Sequence, residues 1–230
     1  METYPKIQTL WFREENTGKI LQGQYSSPIF PNIRKWHVTE KINGTNMRIG
    51  FAVLIEKGAV QCSTQIEISG KTDDAEIPPH LLKYMRETFT AERLIKMVRV
   101  KLDEGKNFVD ESYPITLYGE GYGLKIQNGQ NIYRKDVAFI LFDVKIGEYW
   151  LEPENVKDIA SKLGIECVPE LGIMTEDEIV QLVKIGYKSK IAENKQYEGE
   201  GVVARSCPMV LFRDGTPVMW KLKGRDYKKT

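Results

Sequence analysis

Short runs rich in β-branched and aromatic residues, punctuated by glycine, make up most of this chain. Residues 36–40, Trp-His-Val-Thr-Glu, predict a strand that leads into a tight turn at Asn43-Gly44. Residues 46–55 are β-rich and mostly apolar and end at a Lys57-Gly58 turn, and 60–69 alternate as their hairpin partner. Residues 114–120, 137–146, 201–205 and 217–223 predict further strands. Helical spacing is rarer. From Pro78 to about Val98, apolar residues at 81, 82, 85, 89, 94, 97 and 98 predict one or two amphipathic helices. Residues 152–163 carry Pro153 in the first turn, repeat Val156, Ile159, Ala160 and Leu163, and stop at Gly164. Thr175-Glu176-Asp177-Glu178 is a capping box, with Met174 and Ile179 spaced for a hydrophobic staple, and its helix should end near Gly186. Strands with inserted helices and no regular βαβ alternation predict an α+β fold. With no internal repeat or low-complexity linker, a single domain over 1–230 is expected.

Composition narrows the class. With 41% hydrophobic and 28% charged residues, the 230-residue chain reads as an ordinary globular protein. No apolar run approaches the ~18–20 residues of a membrane span, and the N-terminus lacks a signal pattern, so a cytoplasmic location is expected. Cys62, Cys167 and Cys207 are scattered and form no disulfide framework or zinc knuckle, and His37 and His80 are too few for a histidine-based metal site. A net charge of +1 argues against non-specific coating of nucleic acid. Basic residues do gather locally, at Lys221, Lys223, Arg225, Lys228 and Lys229, and on the predicted helices at Lys83, Arg86, Arg93, Lys96 and Arg99. A solvated tail is the alternative reading of the first group.

Five segments carry candidate chemistry. In Glu40-Lys41-Ile42-Asn43-Gly44-Thr45-Asn46 a lysine follows a strand and precedes a turn, placed to project into a cleft. An amine nucleophile must first lose a proton, against an ordinary lysine pKa of ~10.4. A plain hairpin turn beside a surface lysine reads equally well. In Leu117-Tyr118-Gly119-Glu120-Gly121-Tyr122-Gly123 a carboxylate among glycines is placed to accept from a ribose or help hold a metal; the alternative is a glycine-rich turn with an exposed glutamate. In Phe139-Ile140-Leu141-Phe142-Asp143-Val144, Phe142 is a candidate for stacking on a base, while Phe139, Ile140 and Leu141 read as core. Glu198-Gly199-Glu200-Gly201 offers carboxylates for a hard metal such as Mg²⁺. In Val218-Met219-Trp220-Lys221-Leu222-Lys223 the two lysines share a strand face and suit phosphate.

The order of these five segments resembles that of the ATP-dependent RNA ligases, in particular the RNA ligase 2 type, within the covalent nucleotidyltransferases. The resemblance runs from about Trp36 to Lys223. It implies an adenylyltransferase fold of antiparallel sheets with flanking helices, and no OB-fold domain. It also implies ATP and Mg²⁺ (or Mn²⁺) as cofactors, and RNA ends, including RNA/DNA nicks, as substrates. Lys41 would form a covalent lysyl-AMP and pass AMP to a 5′-phosphate, which is then joined to a 3′-hydroxyl. Lys221 and Lys223 would contact phosphate. Glu40 would recognise the adenine amino group, Ile42 and Asn46 would lie near the nucleotide, Glu120 would hold the ribose, and Phe142 would stack on adenine. Asp143 would orient the lysine segment or water, and Glu200 would hold the metal's water shell. Two positions depart from the pattern. Many relatives carry His where this chain has Asn43, and an arginine expected beyond the lysine segment has only Arg48, Gln65 or Lys71 as candidates. Competing readings are a DNA ligase, a capping guanylyltransferase and a non-catalytic nucleotide-binding adaptor.

Overall fold

Alternation in the segment 36–40 translates directly into burial: Trp36, Val38 and Glu40 are buried while His37 and Thr39 are half-exposed. The computed structural model describes residues 1–56, 59–62, 65–97, 111–126 and 133–227. The Lys57-Gly58 turn, Val98, Arg99, Lys228 and Lys229 lie outside them. Among the described residues the strands are β1 (Gln8–Thr9), β2 (Trp11–Arg13), β3 (Ile20–Tyr25), β4 (Trp36–Glu40), β5 (Thr45–Glu56), β6 (Ala59–Cys62), β7 (Glu67–Ser69), β8 (Glu111–Gly123), β9 (Val137–Ile146), β10 (Tyr149–Trp150), β11 (Glu166–Cys167), β12 (Glu170–Met174), β13 (Gly201–Ser206) and β14 (Met219–Lys223). The helices are α1 (Pro79–Thr88), α2 (Ala91–Ile95), α3 (Pro153–Leu163) and α4 (Glu176–Ile185). This is the α+β mixture that the sequence pattern predicts: antiparallel sheets with few helices.

The chain divides into two compact units, one of Met1–Tyr4 with Gly44–Cys167 and the other of Pro5–Asn43 with Val168–Thr230. In the first, a sheet runs β10-β9-β8-β5-β6, with β7 also paired to β5 and β11 to β9. All pairs are antiparallel except β11 with β9. Met47, Ile49, Phe51 and Val53 point from one face of β5 into a core shared with Ile115, Leu117, Phe139 and Leu141. Leu81, Met85, Leu94, Val156, Ile159 and Leu163 of the helices cover that core. The 78–98 pattern resolves into two helices because Thr90 caps the second, its hydroxyl accepting from the Arg93 N–H. Helix α3 stops at Gly164, whose φ of 61° and ψ of 38° are left-handed. The expected 60–69 strand is instead two short ones, β6 and β7, both paired with β5.

On the far side of β5, Arg48 is fully buried. Its Nε donates to the Gly70 carbonyl at 2.8 Å, Nη1 to the Met1 carbonyl at 3.0 Å, and Nη2 to Asp73 at 2.8 Å. This guanidinium is committed to its own unit, which argues against Arg48 as a phosphate contact. Arg48→Ala should lower unfolding free energy by about 2–4 kcal/mol, since it strands two carbonyls and opens a cavity. Denaturant melts of the purified variant check this; an unchanged midpoint would mean the contacts contribute nothing net.

The second unit holds a sheet ordered β1-β14-β13-β4-β12, antiparallel apart from β1 with β14, and a separate β2-β3 pair. Its core joins Trp36, Val38, Val202, Ala204, Trp220 and Leu222 to Ile179, Val180 and Val183 of α4. Both reciprocal bonds of the Thr175–Glu178 capping box are present, and Met174 packs against the same core as Ile179, as a staple requires. Strands β1 to β3 and β10 to β12 were not predicted by the pattern. They are short, and β12 carries Gly172 at a register shift. No helix among the described residues is long and apolar enough to cross a membrane.

Candidate active site

Register in the second unit brings the basic and acidic candidates into one row. Glu40, Val202 and Leu222 lie opposite one another across β4, β13 and β14. One residue further along, the Lys41 N–H donates to the Gly201 carbonyl at 2.8 Å, and Gly201 lies opposite Lys223. Glu200, immediately before β13, therefore falls between the two lysines. Lys41 Nζ lies 2.6 Å from Glu200 Oε2, and Lys223 Nζ lies 2.7 Å from Oε1. Each of these side chains is a fifth or less exposed, so the ion pairs are shielded rather than splayed into solvent. Lys41 Nζ also donates to the Ile42 carbonyl at 3.3 Å, and the Ile42 side chain is buried. Lys221 sits two residues before Lys223 on β14 and is half-exposed.

Glu40 is 1% exposed, on the core face of β4 beside Val38 and Trp36. Its Oε2 accepts from the Lys190 backbone N–H at 2.8 Å. Its Oε1 is buried, and no donor among the described residues reaches it. A buried carboxylate oxygen with no donor is costly.

The chain passes from one unit to the other at Asn43 and Gly44. Strands β4 and β5 are not paired with each other, so the segment is not the hairpin turn of the plainer reading. Gly44 is required by close approach: a Cβ there would stand 2.2 Å from the Gly121 carbonyl oxygen and 2.7 Å from Glu120 Cγ. In the first unit Asn46 lies opposite Glu120 across β5 and β8, and Asn46 Oδ1 is buried with no partner among the described residues. The 117–123 segment is not a turn either; it lies inside β8. A Cβ at Gly119 would strike the Phe139 ring at 2.1 Å and one at Gly121 the Leu81 side chain at 2.5 Å, so these glycines serve packing. Glu120 lies between them on the other face and is half-buried. Nearby, burial pushes the Tyr118 phenol up to about 12. Phe142 is the extra residue of a bulge, since Tyr118 pairs with Asp143 but Gly119 with Leu141. Its ring meets Tyr4 edge-on at 4.9 Å and stays half-buried, while Asp143 is fully buried and accepts from the Tyr4 hydroxyl at 2.8 Å.

Of the predicted residues, Lys41, Glu200 and Lys223 are in contact, with Glu40 beside Lys41 in sequence. Asn46, Glu120 and Phe142 stand on neighbouring strands of the first unit. Missing from the sequence reading were Ser189, whose hydroxyl accepts from the Ala192 N–H, Lys190, whose backbone N–H donates to Glu40, and Tyr187, whose hydroxyl donates to the Gly201 carbonyl at 2.6 Å. The lysine-rich loop that carries them has the composition of a solvated surface, and a backbone N–H leaves no mark in composition. Among the described residues no three His, Cys, Asp or Glu side chains group as a metal cage.

The family model described as RNA ligase matches residues 34–223. No curated protein sequence matches the chain. Among solved structures, a Naegleria gruberi RNA ligase with PPi is similar at 20% identity and a TM-score of 0.55, covering 97% of this chain and 62% of that one. Mutants of the same ligase solved with ATP and Mn, and with AMP and Mn, match at 19% identity and the same TM-score. At such identity the likeness speaks for the fold, and the chain spans about three fifths of the length of these structures.

Proposed function

The chain belongs to the RNA ligase family, and on that premise we propose that it is an ATP-dependent RNA ligase of the covalent nucleotidyltransferase fold, with Lys41 as the adenylylated residue. The observation that carries this reading is the Glu200 carboxylate holding Lys41 and Lys223 at 2.6 and 2.7 Å, one residue from a buried Glu40 oxygen that lacks a donor. Deprotonated Lys41 Nζ attacks the α-phosphorus of ATP. The N–P bond forms as the bond to the bridging oxygen breaks, and pyrophosphate leaves with the electron pair. A 5′-phosphate oxygen then displaces Lys41 from the adenylate, and a 3′-hydroxyl attacks that 5′-phosphate and expels AMP. An ammonium is no nucleophile, so Lys41 must first give up a proton, and the Glu200 carboxylate at 2.6 Å, or solvent, is the acceptor. Lys223 and Lys221 supply positive charge toward phosphate as the pyrophosphate develops.

Glu40 fits adenine. Its free Oε1 suits the amino donor that adenine presents, whereas guanine presents a carbonyl oxygen at that edge. Asn46 and Ile42 near the nucleotide, Glu120 at the ribose and Phe142 on the base are assigned from motif order. A single half-buried carboxylate also fits Mg²⁺ or Mn²⁺, because a hard ion that keeps most of its waters is bound through one or two carboxylates and the nucleotide's phosphates. Glu200 is the residue that would hold it, and when bound the ion supplies neutralisation of phosphate charge.

Labelled ATP should mark the protein covalently on denaturing gels, and labelled GTP should mark it at least about tenfold less, the equivalent of ~1.4 kcal/mol. Equal labelling by GTP would remove Glu40 from base recognition, and no labelling by either would favour the adaptor. Sealing assays on RNA and DNA nicks and single-stranded ends then separate RNA ligase from DNA ligase.

A further inference from the structure

Resting on that adenylate reading, we infer that the 187–199 loop is the specificity device of the nucleotide site, acting through Ser189 and the Lys190 amide on Glu40. The loop closes on itself. The Gly199 N–H donates to the Tyr187 carbonyl and the Ser189 N–H to the Tyr197 carbonyl, both at 2.9 Å, so that Lys188 and Glu198 face each other as an antiparallel backbone pair. Within it Lys188 Nζ donates to the Gln196 carbonyl at 2.8 Å and Lys195 Nζ to the Ala192 carbonyl at 3.0 Å, so the loop whose ends meet is also held by its own side chains.

Ser189 braces the turn that follows this pairing. The side chain is 4% exposed, and its Oγ accepts from the Ile191 N–H at 3.3 Å and the Ala192 N–H at 3.2 Å. Such a serine-braced turn sets the direction of the peptide groups it encloses. The enclosed residue is Lys190, whose N–H donates to Glu40 Oε2 at 2.8 Å. The Lys190 side chain ties the same turn to β12, Nζ donating to the Glu170 carbonyl at 2.6 Å.

The consequence falls on Glu40. A carboxylate free to rotate presents either oxygen to either kind of partner. Here Oε2 is occupied and Oε1 alone is left without a donor. Pinning the group leaves one acceptor in one direction, which suits an amino group and meets a carbonyl oxygen unfavourably. Ser189 and Lys190 are thus positioning residues that touch Glu40 or its brace.

The test follows Lys41 adenylylation as a function of ATP concentration, with GTP in parallel, for wild type, Ser189→Ala and Ser189→Thr. Ser189→Ala should raise KM for ATP about tenfold, leave the maximal rate within about twofold, and shrink the ATP-over-GTP preference about tenfold, the equivalent of one hydrogen bond of ~1.4 kcal/mol. Ser189→Thr, which keeps the hydroxyl, should stay near wild type. If Ser189→Ala does not fold, Ser189→Cys carries the same expectation at smaller size through its weaker acceptor. Wild-type KM and preference in a folded Ser189→Ala would overturn the inference alone, as would a fall confined to the maximal rate. A wild-type chain that takes no label would overturn the ligase reading, and this inference with it.

Discussion

Lys41→Ala is expected to take no AMP from ATP, a loss on the order of 10³-fold or more, while remaining folded. Lys41 is singled out by its geometry: its N–H is fixed to the Gly201 carbonyl and its Nζ to Glu200, so the side chain leaves the strand end in one direction. Truncation removes the amine but leaves Glu200 paired with Lys223. The stability cost should therefore be modest, about 1–2 kcal/mol, which is about 2–8 °C for a chain of this size. Lys41→Arg separates charge from nucleophilicity. The guanidinium can still pair with Glu200, but it stays protonated and does not attack phosphorus. Label on purified Lys41→Ala, mapped to any other residue, would sink the central assignment.

Glu200→Ala should be the most damaging single change outside Lys41, lowering adenylylation by about 10²–10³-fold. One carboxylate positions two ammonium groups, at 2.6 and 2.7 Å, and its removal leaves like charges facing each other without it. Stability should fall as well, by about 1–3 kcal/mol. Glu200→Gln keeps the shape and tests the charge. The Mg²⁺ dependence of the residual rate should also shift toward higher concentration. Titrations that overlay with wild type would remove the metal role and leave the lysine-positioning role, and an unchanged rate would remove both.

Legibility in the sequence followed the range of the forces involved. Local signals read correctly: the 137–146 strand, the α3 stop at Gly164 and the capping box of α4 are each set by neighbours within a few residues. Lys41, Glu200 and Lys223 were picked out only as members of an ordered set, and the structure places both lysines against Glu200. What local pattern misread was pairing. Asn43-Gly44 has the letters of a hairpin, yet its flanking strands join different sheets, and the glycine is needed for a close approach to Gly121. Likewise the glycines around Glu120 imitate a turn but make room for Phe139 and Leu81 inside a strand. Arg48 is a polar letter in a strand, and only long-range contacts to Met1, Gly70 and Asp73 show what it does.

The division of the chain has a consequence for synthesis. Nearly all of the first unit is one stretch, Gly44–Cys167, so its strands can find their partners as soon as that stretch has emerged. The second unit is written in two instalments, Pro5–Asn43 and Val168–Thr230. Strand β4 must wait for β13, whose register with it spans more than 160 residues of sequence, from Glu40 to Val202. At translation rates of roughly 5–20 residues per second, that wait is on the order of ten to thirty seconds. During it Trp36 and Val38 lack their final cover, and the buried edge of β4 is open to wrong partners. Lys41 is made well before Glu200, and it acquires that partner only once the second instalment has emerged.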